Sequence, residues 1–239
     1  MKKTLLFDLD GTVLPLDNKE FERLYIGTLT NFAKDTIEPE KLAKSLWAAT
    51  AAMIQNTDPN RTNETTFWEA FEALIGASAT AYIKETMDQY YNGPFSEIQK
   101  ATKPSQAMIE AIHYAKQKGY TVILATNPLF PKIATDKRIE WAGFKPEDFD
   151  YITRFESNHF CKPNPMYYQE IMSVCDLEPK NCIMIGNDVQ EDMMAAKLGM
   201  ETWLITDDLI NRQSDVHDDH VTWRGNREEL LIKIKEDLI

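Results

Sequence analysis

Short apolar runs alternate with amphipathic stretches along much of this 239-residue chain. Each run stops at glycine or at polar residues, which is typical of a buried strand that ends in a loop. The pattern predicts strands at residues 4–7, 120–125, 181–185 and 202–205, with a weaker candidate at 151–155.

Helical spacing of apolar residues occupies the intervals between the later strands. It predicts helices at residues 104–118, 131–142, 165–175 and 189–198. Pro104 and Pro165 suit a first helical turn, and a glycine follows three of the four segments. Strands that alternate with helices in this way predict an α/β fold, with a parallel sheet covered by helices on both faces.

The stretch between the first two strands is different, because it contains no convincing strand pattern. It predicts four helices, at residues 18–34, 39–56, 64–75 and 78–91. We therefore expect an α/β core built from residues 1–16 and 100–239, interrupted by an all-helical insertion at residues 17–99.

Composition and charge exclude several classes of protein. Hydrophobic residues make up 43% and charged residues 27%, which is an ordinary globular composition. The net charge of −12 disfavours binding to nucleic acid or to an anionic membrane. The apolar run after the N-terminal lysines is too short for a secretory signal, so we expect a cytoplasmic protein. Three cysteines without metal-type spacing are expected to be small buried hydrophobes.

Candidate chemical groups follow the ends of the predicted strands, where ligands bind in open parallel sheets. Asp8 and Asp10 follow the first strand, and Thr126 and Asn127 follow the second. Asp188 comes just after the strand that ends at residue 185.

Two further charged residues complete this set. Lys162 precedes a predicted helix, and Asp192 lies four residues beyond Asp188. Phosphoryl transfer needs a nucleophile, a group that moves protons and positive charge beside the phosphate oxygens. Two carboxylates divide the first two tasks, a lysine supplies a point charge, and carboxylate oxygens suit Mg²⁺.

Four segments carry a family resemblance. In order and approximate separation, residues 8–12, 125–127, 162–163 and 186–192 resemble the four motifs of the haloacid dehalogenase-like hydrolase superfamily. The resemblance extends from residue 4 to about residue 205. It implies a Rossmann-like core, and it implies that the helical insertion is a cap domain that closes over the site.

The resemblance also implies roles for the first-motif and second-motif residues. Asp8 would be the nucleophile that forms an aspartyl-phosphate, and it would also bind Mg²⁺. Asp10 would be the general acid and base, with its backbone carbonyl on the metal. Thr126, helped by the Asn127 amide, would hold the phosphoryl group.

The later motifs supply the remaining roles that the resemblance implies. Lys162 would stabilise Asp8 and the phosphoryl charge, and Asp188 would bind Mg²⁺. Asp192 would bind the metal through water or orient Lys162. Many relatives have the first acidic residue of the fourth motif directly after the glycine, whereas Asn187 stands there in this chain. Asn187 therefore remains an alternative metal ligand.

These observations predict a Mg²⁺-dependent phosphomonoester hydrolase that acts on a small phosphorylated metabolite. A phosphomutase, a phosphonate hydrolase and a non-catalytic binding protein of the same fold remain alternatives. A dehalogenase is disfavoured because Asp10 is present. A phosphonate hydrolase needs a reactive cap lysine; Lys41, Lys44 and Lys84 are candidates, but no sequence feature singles out any of them. The sequence leaves the substrate and the oligomeric state open.

A second acidic and histidine-rich segment, residues 217–220, is expected to be a solvated loop rather than a metal site. Trp47, Phe67 and Trp68 are expected to belong to the core of the helical insertion rather than to face substrate. Asp17, Glu20 and Phe21, at the start of the insertion, are less favoured candidates for substrate contact.

Overall fold

A computed structural model describes residues 3–212 and 220–237 of the chain. Six parallel strands form one sheet in the order β3-β2-β1-β4-β5-β6. The strands are β1 (Thr4–Phe7), β2 (Thr121–Leu124), β3 (Tyr151–Ile152), β4 (Cys182–Gly186), β5 (Glu201–Ile205) and β6 (Trp223–Gly225). The expected Rossmann-like α/β core is thereby confirmed.

The first strand lies in the middle of this sheet. All four residues of β1 are buried, and Leu6 is in register with Ile123 of β2 and with Met184 of β4. Burial of both sheet faces explains why the strands are short, continuously apolar runs. The carboxyl ends of β1, β2 and β4 meet at one edge, so the polar residues that follow them converge.

The insertion between β1 and β2 is helical, as the sequence predicts. Its helices are α1 (Asn18–Ala33), α2 (Pro39–Ile54), α3 (Asn63–Ile75) and α4 (Ala77–Asn92), followed by a 3-10 helix at Pro94–Ala101. Side chains of Asp17, Glu38 and Thr62 accept hydrogen bonds from first-turn amides and so fix where three of these helices begin. The exact domain boundaries at residues 16/17 and 99/100 stay a prediction.

Four further helices cover the sheet. They are α5 (Gln106–Gln117), α6 (Lys132–Trp141), α7 (Pro165–Val174) and α8 (Arg227–Asp237). Ser105, rather than Pro104, precedes α5, and its hydroxyl accepts a hydrogen bond from the Met108 amide. β6 and α8 have no counterpart among the elements predicted from the sequence.

One predicted helix is wrong. Residues 189–192 form turns rather than helix, and a short 3-10 helix follows at Met193–Leu198. The Asp188 carboxylate accepts hydrogen bonds from two turn amides, and the Asp192 side chain is fully buried. These side chains set the conformation of the segment in place of the backbone hydrogen bonds of an α-helix. Gly199 ends the segment with φ +91°, as its position predicts.

Apolar side chains from the sheet and from the insertion form one continuous core that includes Leu5, Phe7, Tyr25 and Phe71. Cys161 and Cys182 are buried and Cys175 is partly buried; all three are free thiols, in line with the expected role as small hydrophobes. Residues 217–219 of the histidine-rich segment lie outside the described residues. In the described part of the chain, no helix has both the length and the apolar character needed to cross a membrane.

Candidate active site

The loop after β1 brings Asp8 and Asp10 to the carboxyl edge of the sheet. The Asp8 amide donates to the Ile185 carbonyl at 2.9 Å, so the sheet pairing continues into the first residue of the loop. Gly11 has φ +81°, and a Cβ there would lie 2.2 Å from Asn187 Nδ2. Glycine is needed at this position for both the backbone conformation and the close approach of the Asn187 side chain.

A buried lysine joins two of the predicted site residues. Lys162 Nζ lies 2.8 Å from Asp8 Oδ1 and 2.6 Å from Asp192 Oδ1, and the lysine side chain is 1% exposed. Burial opposes the lysine charge, but Asp192 and Asp8 outweigh it and raise the pKa of Lys162 well above its ordinary value. Lys162 is therefore a fixed ammonium between two carboxyl groups.

Burial acts in the opposite sense on the carboxyl partners of this lysine. It raises the pKa of Asp8 to about 6, against a smaller lowering by Lys162. It raises the pKa of Asp192 to about 7, again against Lys162, while Asp8 raises it further. The site thus holds two largely buried carboxyl groups on either side of one lysine.

Asp192 is held tightly by its surroundings. Its Oδ2 accepts a hydrogen bond from the Asp188 amide at 2.9 Å. A Cβ on Gly186 would lie 2.1 Å from that same oxygen, so the absence of a side chain at Gly186 makes room for the Asp192 carboxylate. With Oδ1 on Lys162 and Oδ2 on a backbone amide, Asp192 has the contacts of a residue that orients the lysine.

Asp10 contacts an arginine that the sequence analysis missed. Arg138, on α6, is 1% exposed and forms an ion pair with Asp10 Oδ2. Its guanidinium lies over the Phe130 ring, 4.4 Å from the centroid, and donates to the Thr135 hydroxyl at 3.4 Å. The other carboxyl oxygen, Asp10 Oδ1, is buried without a hydrogen-bond partner. Arg138 follows Ala134 by four residues on the buried face of α6, and a charge on that face is the signal that would have found it.

The second-motif residues lie beside the lysine. Thr126 is buried, and its carbonyl accepts hydrogen bonds from the Tyr167 hydroxyl at 2.8 Å and the Thr153 hydroxyl at 2.6 Å. The Asn127 side chain accepts from the Lys162 amide at 3.1 Å and donates to a Glu191 carboxylate oxygen at 3.0 Å. The Asn127 side chain therefore ties the lysine loop to the loop after β4.

The loop after β4 holds Asp188 rigidly. Asp188 Oδ1 accepts from the amides of Gln190 at 3.0 Å and Glu191 at 2.9 Å, and Oδ2 lies 2.6 Å from an Arg212 nitrogen. Burial, followed by the negative charge of Asp188, raises the pKa of Glu191 to about 7.

Asn187 is engaged in contacts within the protein. Its Oδ1 accepts from the Thr12 hydroxyl at 3.0 Å, and its Nδ2 donates to the Asp208 carbonyl at 2.6 Å. Through these contacts Asn187 joins the loop after β1 to the loop after β4. Because both polar atoms of the Asn187 side chain are engaged, Asp188 is the better candidate for a metal ligand.

The residues proposed for Mg²⁺ fit the ion by chemistry. Within residues 3–212 and 220–237, no three Asp, Glu, His or Cys side chains form a group that could hold a metal. The predicted set instead combines the carboxylates of Asp8 and Asp188 with the backbone carbonyl of Asp10, and all three are hard oxygen donors that Mg²⁺ prefers. Asp188 Oδ2, the oxygen that accepts no backbone hydrogen bond, pairs with a cation, the Arg212 guanidinium.

The fold is that of an α/β protein with an all-helical insertion between its first two strands. A family model for haloacid dehalogenase-like hydrolases matches residues 2–199. The chain belongs to the haloacid dehalogenase-like hydrolases.

Individual relatives cover most of the chain at low identity. The glyceraldehyde 3-phosphate phosphatase of Methanothermobacter thermautotrophicus is 25% identical over 221 residues, which is 90% of each protein. The pyrophosphatase PpaX of Bacillus cereus is 19% identical over 83% of this chain and 81% of its own length.

Solved structures share the fold over nearly their full length. A 2-haloacid dehalogenase from Pseudomonas syringae pv. Tomato has a TM-score of 0.65, with 15% identity and 100% coverage of both chains. A phosphatase of the same family from Thermococcus onnurineus has a TM-score of 0.60, with 17% identity and coverage of 100% of this chain and 98% of its own. At these identities the likeness is one of fold.

Proposed function

We propose that the protein is a Mg²⁺-dependent phosphomonoester hydrolase that works through an aspartyl-phosphate on Asp8. The observation that carries the proposal is the buried contact between Asp8 and Lys162, at 2.8 Å, beside an Asp10 whose Oδ1 has no partner. The names of two relatives, a glyceraldehyde 3-phosphate phosphatase and a pyrophosphatase, support phosphate chemistry.

In the first step, an Asp8 carboxylate oxygen attacks phosphorus and the bond from phosphorus to the ester oxygen breaks. Lys162 holds Oδ1, which leaves Oδ2 to attack. Arg138 holds Asp10 Oδ2, so Asp10 Oδ1 delivers the proton to the departing alcohol. In the second step the same oxygen takes a proton from water, which attacks phosphorus and releases Asp8 and inorganic phosphate.

Positive charge near the phosphoryl oxygens comes from two sources. Lys162 supplies a fixed charge, which is worth more in a buried site than in water. Asp8, the Asp10 carbonyl and Asp188 would hold Mg²⁺, which supplies further charge neutralisation for the transferring phosphoryl group.

The alternatives in this fold make different demands. Cleavage of a phosphonate through an imine needs a lysine that faces the substrate. The three cap lysines named above as candidates have other contacts: Lys41 reaches the Ile75 carbonyl, Lys44 pairs with Glu40 and Lys84 lies over the Trp68 ring. These contacts favour a phosphomonoester hydrolase over a phosphonate hydrolase.

The test is phosphate release from a broad panel of phosphate esters by the purified protein in Mg²⁺. We expect Asp8→Asn to lower turnover by at least about a thousandfold, because the nucleophile is lost. Asp17→Asn is the matched control, since Asn caps a helix about as well as Asp. EDTA should abolish phosphate release and added Mg²⁺ should restore it.

Two results would contradict the proposal. One is an absence of phosphate release from every ester on the panel. The other is equal turnover by Asp8→Asn and Asp17→Asn. Transfer of labelled phosphate to a second sugar, instead of to water, would indicate a phosphomutase.

A further inference from the structure

A cavity of about 520 Å³ lies between the helical insertion and the candidate active site, and Asp10 forms part of its wall. Its size is in the range of pockets that hold drug-sized ligands. Aromatic rings dominate the lining, from α1, from α3 and from two loops of the core. They include Phe21, Tyr25, Phe67, Phe71, Phe130 and Phe155.

Most polar groups on the helical wall of this cavity have a neighbour within the protein. The Tyr25 hydroxyl lies 3.5 Å from that of Tyr91, and the Tyr90 hydroxyl lies 3.0 Å from that of Thr28. The Thr86 hydroxyl donates to the Tyr82 carbonyl at 2.7 Å. These contacts use part of the hydrogen-bonding capacity of a wall that is otherwise mostly apolar.

The charged and amide side chains of the lining are few. Asn18, Glu22 and Arg212 are exposed, so they form part of the rim, and Arg212 is already paired with Asp188 and Glu191. Asp10 lies on the core side of the cavity, with Oδ1 buried and unpartnered. A ligand that fits this distribution has one polar group at Asp10 and an apolar body between the helices.

We propose that this cavity binds the leaving group, and that the substrate is a phosphate monoester of a large, predominantly apolar alcohol. The proposal rests on the proposed function, because it takes Asp10 as the group that protonates the ester oxygen. A sugar would bury hydroxyls against rings that cannot bond them, and each unpaired polar group lowers affinity by roughly five- to a hundredfold.

The first experiment measures kcat/KM for straight-chain alkyl monophosphates from ethyl to octyl, with Mg²⁺ and the unmodified protein. The leaving alcohols have similar acidity, so differences report how the chain is bound. We expect a rise of up to about fourfold for each added methylene until the cavity is filled, as burial of apolar surface predicts. A flat or falling series would overturn the proposal.

A matched pair separates polarity from size. Propyl phosphate and glycerol 3-phosphate have the same three carbons, but glycerol carries two further hydroxyls. We expect propyl phosphate to have the higher kcat/KM by at least tenfold, because the hydroxyls find no partners. A preference for glycerol 3-phosphate would contradict the inference.

A cavity-filling variant locates the binding site. Thr50 lines the cavity from α2, and Ala51, the next residue, is exposed. Thr50→Trp should lower the ratio of kcat/KM for 3-phenylpropyl phosphate over ethyl phosphate at least tenfold, whereas Ala51→Trp should leave that ratio within twofold. An unchanged ratio in folded Thr50→Trp protein would overturn the assignment. If that variant does not fold, the alkyl series decides alone.

The results of these experiments distinguish failure of this inference from failure of the proposed function. Rapid hydrolysis of small polar esters with no gain from alkyl length leaves the phosphatase proposal intact and refutes the apolar leaving group. Failure to hydrolyse any ester refutes both. A steep alkyl series supports both.

Discussion

Lys162 carries its charge where water does not reach it. Removal of one partner from a buried ion pair leaves the other charge uncompensated, which costs far more than an exposed pair contributes. Here the lysine lies between Asp8 and Asp192, so its loss leaves two buried carboxyl groups side by side.

We therefore expect Lys162→Met to lower the free energy of unfolding by about 3–5 kcal/mol. Lys44→Met is the control, because that lysine is 75% exposed and its loss should cost less than about 0.5 kcal/mol. Urea denaturation of the two variants measures the difference. Equal losses in the two would show that the buried charge is unimportant.

The raised pKa values of Asp8 and Asp192 predict how the stability of the metal-free protein depends on pH. Burial raises the pKa of Asp8 to about 6 and of Asp192 to about 7, from 3.8 in both cases. The folded protein therefore binds protons that the unfolded chain releases above about pH 4. This contribution to stability is present at low pH and is lost as the pH rises through 6 and 7.

In EDTA we expect the melting temperature to fall between pH 5 and pH 8. Asp192→Asn should show a smaller fall, because one of the two titrating groups is gone. Melting curves at four or five pH values test this. If the variant and the unmodified protein had the same slope, other groups would control the pH dependence.

Residue-level prediction from sequence agrees best with the structure where a short segment specifies the position of a residue. The segments around Asp8 and Lys162 place those residues at a strand end and in a loop, and the structure brings the two together. Arg138 was missed because its contact with Asp10 depends on how α6 packs against the loop after β1. A charge on the buried face of α6 marks the residue, but it does not identify the partner.

At the scale of elements, β4 and the turn after it depend on a glycine, Gly186, that has no side chain. Asp192 folds back against Gly186, and a Cβ there would lie 2.1 Å from the carboxylate oxygen and 2.2 Å from its carbon. An alanine at this position forces Asp192 to move, and Lys162 with it.

Gly186→Ala should destabilise the protein by about 1–3 kcal/mol through overpacking. Gly27→Ala is the matched control, since nothing lies within 4 Å of a Cβ there and the position is inside α1. The control should stabilise the protein by about 0.5–1 kcal/mol, because alanine is the better helix former. Thermal unfolding distinguishes the two signs, and a stabilised Gly186→Ala would contradict the packing argument.

The elements that the sequence predicted well have local signals. The helices of the insertion begin at capping side chains such as Asp17 and Thr62, which lie within a few residues of the first turn. The segment at 189–198 lacks such a local signal, because the buried Asp192 side chain determines its conformation. β6 has three residues and one neighbouring strand, so its pairing is a tertiary event with almost no sequence pattern.

At the scale of the whole molecule, the last helix is connected to the first loop. Arg227, at the start of α8, donates from Nε to the Thr12 carbonyl at 2.9 Å and from a terminal nitrogen to the Gly11 carbonyl at 2.5 Å. Its side chain also pairs with Asp208. Residues more than two hundred positions apart in the sequence therefore support the loop that carries Asp10.

Arg227→Met should lower the free energy of unfolding by about 2–4 kcal/mol, because two buried carbonyls lose their donor. Arg23→Met, at an arginine that is 67% exposed, should cost less than about 0.5 kcal/mol. Chemical denaturation measures both. A loss in Arg227→Met no larger than in the control would mean that the loop does not depend on α8.

The central position of β1 has a consequence during synthesis. β1 leaves the ribosome before both of its neighbours, β2 and β4, and β4 is complete only at residue 186. At about 5–20 residues per second, the strand that precedes Asp8 waits roughly ten seconds or more for its second neighbour. The insertion helices contact chiefly one another and the 3-10 helix that follows them, so they are free to form in that interval. We therefore expect the nascent chain to assemble the helical insertion before Asp8 and Asp10 lie at the end of a fully paired strand.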